Sequence, residues 1–164
     1  MSISSLPDSS RVWVFLANRI LAPNESMDLQ KIMEDFVGKW QTHGADLTAG
    51  YEVFGNAALI VAVDESKTPP SGCSIDKVFR LLQDFGAEKS VDFLSRTLVG
   101  KLVENTVTIF TKQEAVEAFN SGELKDNALV IDTLVADLAA YKNNFKIAFK
   151  NHWLGKQLIV KNTA

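Results

Sequence analysis

Several classes of protein are excluded by what this sequence has little of. A single cysteine, Cys73, cannot form an internal disulfide, and the only two histidines, His43 and His152, lie far apart without paired-ligand spacing. No metal site is predicted. There is no excess of basic residues: 17 Lys and Arg against 20 Asp and Glu are interspersed along the chain, giving a net charge of −3 with neither a phosphate-binding patch nor an acidic tail. Nucleic acid is therefore disfavoured as a partner. The longest apolar run, residues 57–63, falls far short of the roughly 20 residues that cross a bilayer. The N-terminus MSISSLPDSSR lacks the basic region and apolar stretch of a signal peptide. These absences together predict a soluble, cytoplasmic protein. No G-x-x-x-x-G-K-S/T, G-x-G-x-x-G or G-x-S-x-G pattern occurs, so nucleotide hydrolysis, dinucleotide binding and the hydrolase elbow lack support, and no cofactor is predicted.

What the chain does have is a well-patterned core, with 46% hydrophobic residues in 164, enough for one domain. Residues 1–10 are polar and serine-rich and predict a loose tail. Residues 11–17 place Val12, Val14 and Leu16 on one face and Trp13 and Phe15 on the other, so this strand is buried on both sides. Leu29, Ile32, Met33, Phe36, Val37 and Trp40 recur at helical spacing over residues 26–42, with Gly44 as a stop. Residues 47–54, the turn Gly55-Asn56 and the apolar run 57–63 form a hairpin. A second helix opens at Ser71-Gly72-Cys73-Ser74, carries Ile75, Val78, Phe79, Leu82 and Phe85 on one stripe, and ends at Gly86. Between Ser95 and Thr111, β-branched enrichment predicts a fourth strand, bent at Gly100 or Asn105. A short helix over 113–119 and a longer one over 127–143 follow, the latter with Ile131, Leu134, Val135, Leu138 and Tyr141 aligned. Phe149, Trp153, Leu154 and Leu158 fit a last short helix, although residues 158–160 extend equally well as strand.

The order β-α-β-β-α-β predicts an α+β fold, a ferredoxin-like sandwich whose first and third strands are central. Its second sheet face then needs a cover, and the C-terminal helices are the candidates, with a symmetric partner chain as the alternative. The expected organisation is a single domain over 1–164, with an α/β core over 11–111 and a helical extension over 112–164.

In that topology Arg11, His43, Asp64, Glu65 and Cys73 gather at one end of the sheet. A cysteine in the first turn of a helix can hold a lowered thiol pKa, with His43 as proton acceptor and Asp64 or Glu65 orienting it. The bland alternative is a small packed cysteine, a histidine at a helix end and a solvated turn. Ser71, Gly72, Cys73, Ser74 and Arg11 are the candidate ligand-binding residues, since a helix N-terminus with hydroxyls accommodates an anion, although ordinary capping uses the same serines. Arg19 and Arg96 fall toward the opposite end, as an anion-binding pair or as bridges to loop carboxylates such as Asp92.

Arg11-Val-Trp-Val with Ala17-Asn18-Arg19, Trp40-Gln-Thr-His43-Gly44, Ala62-Val-Asp64-Glu65, Ser71-Gly-Cys-Ser-Ile-Asp76, Val91-Asp92-Phe93 with Arg96-Thr97, and His152-Trp153 resemble a family of small uncharacterised Bacteroidetes-type bacterial proteins, some labelled "ABC transporter ATPase". The resemblance covers nearly the whole chain and implies no established activity. Without a phosphate-binding loop, the ATPase label has no physical basis here. The function expected is a non-enzymatic module binding a small molecule, an anion or a protein, with a homodimer left open. A thiol-dependent enzyme or redox sensor using Cys73 is the alternative.

Overall fold

The computed structural model describes residues 2–163, with side chains as far as residue 160. Its first half contains β1 (Arg11–Leu16), α1 (Pro23–Lys39), the two-residue strands β2 (Gln41–Thr42) and β3 (Ala45–Asp46), β4 (Ala49–Phe54), β5 (Ala58–Val63) and α2 (Gly72–Lys89). The second half contains β6 (Val99–Val103), β7 (Thr106–Phe110), α3 (Lys112–Ser121), β8 (Leu129–Ile131), α4 (Leu138–Asn144), β9 (Lys146–Ala148) and α5 (Trp153–Thr163). The fold is α+β with antiparallel sheets.

Strand β5 organises the first sheet, whose order is β1-β5-β4. All six of its residues are buried, because both faces of the sheet are covered. Its register sets Val63 opposite Arg11 on one side and Ala49 on the other, and Ala58 opposite Leu16 and Phe54. Strand alternation then separates two cores. Phe15, Leu59, Val61 and Val63 pack against Leu29, Met33 and Val37 of α1 and Val78, Leu82 and Phe85 of α2. Val12, Val14, Leu16, Ala58, Ile60 and Ala62 pack the other way, on Leu102, Val107, Ile131, Val135 and Leu138. The second sheet, ordered β7-β6-β8-β9, turns its far face, with Val99, Phe110 and Val130, to Ala115 and Ala118 of α3 and Leu154 of α5. The result is a four-layer sandwich: a helix pair, a three-stranded sheet, a four-stranded sheet and further helices. Each fully buried Val, Leu or Ile of β5 contributes about 1.5–3 kcal/mol relative to an exposed position.

Five expectations change. The ferredoxin-like sheet with strands one and three central is replaced by a three-stranded sheet in which β5 alone is central and β1 lies at the edge. The stretch that should have flanked β1 is split by a turn in which Glu104 has φ 57, so it folds on itself as the β6–β7 hairpin. That hairpin lies against the face of β1: a Cβ on Gly100 would stand 3.1 Å from Ile131 Cδ1 and 3.4 Å from Leu16 Cδ2. The predicted helix over 127–143 is instead β8, a turn and α4. Asp132 accepts the Leu134 N–H (2.9 Å) and Asp137 caps α4 by accepting the Ala140 N–H (2.7 Å), so short polar side chains interrupt the helix at both points. Ile131, Val135 and Leu138 still face the core, whereas Leu134 is 64% exposed. The N-terminal residues are no loose tail, since Ile3 and Leu6 are buried in the core between the sheets. Finally, α1 starts at Pro23 and stops at Lys39, because Trp40 turns extended and residues 41–46 form the small β2–β3 hairpin. Among the described residues no helix is long and apolar enough to cross a membrane.

Candidate functional site

At the end of the sheet singled out by the sequence, the structure pairs Arg11 with Glu65 at 3.6 Å, both side chains about half exposed. The Arg11 guanidinium also lies over the Trp13 ring, 4.7 Å from its centre. Asp64 is buried and serves the turn: its Oδ1 accepts the Ser66 hydroxyl (2.6 Å) and N–H (3.0 Å), and the hydroxyl bond chiefly holds its carboxyl below the usual range. Ser71 and Ser74 cap α2 reciprocally. Ser71 Oγ accepts the Ser74 N–H (3.2 Å), while Ser74 Oγ accepts the Ser71 N–H (2.6 Å) and donates to the Ser71 carbonyl (2.7 Å). Thr42 donates to Ser71 Oγ (3.0 Å) and the Trp40 indole to the Ser74 carbonyl (2.9 Å), stitching the β2–β3 hairpin to the start of α2. These hydroxyls are thus committed to the fold. Gly72 faces open space, with nothing within 4 Å of where a Cβ would stand. Cys73 is exposed rather than packed. His43 is exposed in the hairpin turn with φ 50, and it makes no hydrogen bond with Cys73, Asp64 or Glu65. The structure therefore brings Arg11 to Glu65 and Thr42 to Ser71, and it assembles no thiol–imidazole–carboxylate chain. Among the described residues no group of three His, Cys, Asp or Glu is placed to hold a metal.

A different feature begins at the same Arg11. Strand β1 hydrogen-bonds β5 through its odd-numbered residues, as the following Ala17 N–H to the Ala57 carbonyl shows, so the backbone groups of Val12, Val14, Leu16 and Asn18 point outward. The outer ladder is started and abandoned. Val12 N–H donates to the Ala136 carbonyl and Leu138 N–H to the Ser10 carbonyl, both at 2.9 Å, forming one antiparallel bridge between Arg11 and Asp137. The Asp132–Leu134 turn then carries the other segment away. At the far end Asn18 N–H donates to the Asp92 carbonyl (2.9 Å). Between these pins, Val14 and Leu16 have no outward hydrogen-bond partner among the described residues, and a groove of about 220 Å³ runs beside the strand as far as Phe15. Its walls are β1 from Arg11 to Phe15, residues 133–136 and Arg96. Exposed Leu134 and half-buried Trp13 give it apolar rims, and Arg11 and Arg96 give it charge.

Arg96 was expected beside Arg19 at the opposite end. Arg19 instead forms a two-pronged pair with Glu25 (2.9 and 2.8 Å) and donates to the carbonyls of Ile20, Lys89 and Ser90, joining α1 to the end of α2. The Arg19 contact, with the Ala22 N–H next, pulls the Glu25 carboxyl down to about 2.

The other edge of the sheet, β4, differs. Ser2 bridges it in parallel at Tyr51. Tyr51 donates to the Gln30 carbonyl (2.9 Å), and a hollow of about 410 Å³ there is lined by Glu34 and Glu52. Glu52 also accepts the Tyr141 hydroxyl (2.9 Å), and burial, then the Glu52 charge, raises the Tyr141 phenol far above its usual value. Sequence reasoning missed the groove and this pair alike; the one visible sign was Glu52 within the strand. No protein-family model, curated protein or solved structure matches the chain.

Proposed function

We propose that the protein is a non-enzymatic binding module that receives an extended polypeptide segment of a partner as an added strand at the free edge of β1. One observation carries this reading: the outward backbone groups of Val14 and Leu16 are unpaired, between a ladder already begun at Val12 and one resumed at Asn18, and a groove lies beside Val14. Strand addition draws affinity from such main-chain groups and specificity from the side-chain recesses beside them. From Val12 to Leu16 the edge spans roughly 13 Å at the usual strand rise, room for about four residues of a partner. An open edge in a folded protein is ordinarily blunted by charge, proline or a bulge. Here the two charged groups beside it stand at the groove walls, while the middle of the strand, Val14 and Phe15, is only 8% and 5% exposed, so the docked segment enters through the groove.

The test is backbone-amide NMR of the full-length protein titrated with short blocked peptides of alternating valine and threonine. Binding should shift the Val14 and Leu16 amides and slow their exchange. Val14→Pro, which deletes one outward N–H at an edge position where proline is tolerated, should weaken it. If no peptide alters exchange at these two amides, the reading fails.

A further inference from the structure

From the charge at this groove we infer that the segment it takes is acidic: an extended strand carrying carboxylate side chains that meet Arg11 and Arg96. The inference rests on the reading of β1 as a docking edge and adds the chemistry of the occupant. No carboxylate lines the groove, whereas two guanidinium groups do. Arg96 is exposed and makes no hydrogen bond or ion pair with any described residue, so all of its donors are free for a ligand. Arg11 is held in place from two sides, by Glu65 at 3.6 Å and by the Trp13 ring at 4.7 Å, and its side chain makes no hydrogen bond with Glu65. Its fork retains capacity for an incoming carboxylate, and the tryptophan beneath limits its freedom, which lowers the entropy lost on binding. Asp132 and Asp137, on either side of the 133–136 wall, accept backbone N–H groups in their own turn and cap and do not line the groove.

The opposite edge supplies the discrimination. Beside β4, Glu34 and Glu52 line the hollow, Ser2 occupies the ladder at Tyr51, and an acidic strand meets like charge there. One sheet thus offers its two edges with charge of opposite sign beside them, and Ser2 already bridges the acidic one at Tyr51.

Three blocked peptides of the same alternating valine–threonine pattern test this, with glutamate, glutamine or lysine at two positions, titrated into the full-length protein at low and high salt. The acidic peptide should bind about fivefold more tightly than the neutral one, the lysine peptide more weakly still, and the preference should shrink at high salt. Arg96→Glu should reverse the order while leaving the melting temperature unchanged. Equal binding of all three with protection of the Val14 and Leu16 amides would overturn the acidic occupant and leave the docking edge standing. Absence of that protection with every peptide would overturn both. Protection that appears without peptide and grows with protein concentration would assign the groove to a second copy of the chain and equally overturn the inference.

Discussion

The two edges of the three-stranded sheet show opposite ways of ending a ladder. At β4 the chain's own N-terminal segment pairs at Tyr51, and Glu34, Glu52 and two tyrosine hydroxyls crowd the edge. At β1 the segment 136–138 starts a pairing that the Asp132–Leu134 turn aborts, and arginines flank the gap. Both strands have buried side chains, so the difference is invisible to hydropathy. It lies in main-chain pairing: a strand can be fully packed on its faces and still have an unused edge.

The largest expected effect comes from disturbing what fixes β1 in place. Gly100 lets the second sheet approach Leu16, and Gly100→Val adds bulk where Ile131 Cδ1 already stands 3.1 Å from a Cβ position. Urea unfolding should show a loss of about 1–3 kcal/mol, with faster exchange along β1 and little change at β4. A loss spread equally over both edges would contradict the distinct anchoring of β1. At the other edge, Tyr141→Phe leaves the Glu52 carboxylate without its hydroxyl donor and should cost about 1 kcal/mol in the same measurement, the partial exposure of the pair keeping it modest. Peptide binding at β1 should be unaffected by it.

How much of this could be read beforehand follows from the physics of each signal. Strand β5 and helices α1 and α2 were legible because their apolar residues repeat cleanly, seven in a run for residues 57–63 and one stripe each for the helices. Residues 127–143 were misread for a specific reason: Ile131, Val135 and Leu138 are spaced as on a helix and are indeed buried together, yet Asp132 and Asp137 divide them among strand, turn and helix. The three-residue strands β8 and β9 are too short to show alternation. Ile3 and Leu6 carried a signal, two apolar residues one helical turn apart, that the surrounding serines obscured. The groove had no sequence signature at all, because an unpaired edge depends on which segment lies beside it; Arg11 was singled out, but its companion Arg96 was placed at the wrong end.

A smaller effect concerns acid. Glu25, drawn from the ordinary 4.5 to about 2 by Arg19, is more readily protonated in the unfolded chain than in the folded one. Its contribution is fully present above about 4.5 and is lost as pH falls toward about 2. His152, buried with its pKa lowered by desolvation, also disfavours acid: the unfolded chain takes up its proton first, so stability should decline as pH drops below the ordinary 6.5. Melting curves across that range should flatten in the upper step for His152→Gln and in the lower step for Glu25→Gln. Neither substitution should alter which edge binds peptide. The smallest effect is at Cys73: being exposed, it should react with iodoacetamide in the native protein, and His43→Ala should leave that rate unchanged. A rate that falls with His43→Ala would move the functional site to the α2 end of the sheet.

The most direct measurement is native-state amide hydrogen exchange along β1 in the free protein. Trp13 and Phe15, whose N–H groups face β5, should be strongly protected, while Val14 between them and Leu16 next to Phe15 exchange far faster, and Val12, bonded to the Ala136 carbonyl, falls with the protected set. Uniform protection of all five amides in dilute protein would mean that the edge of β1 is already closed and would contradict the docking groove.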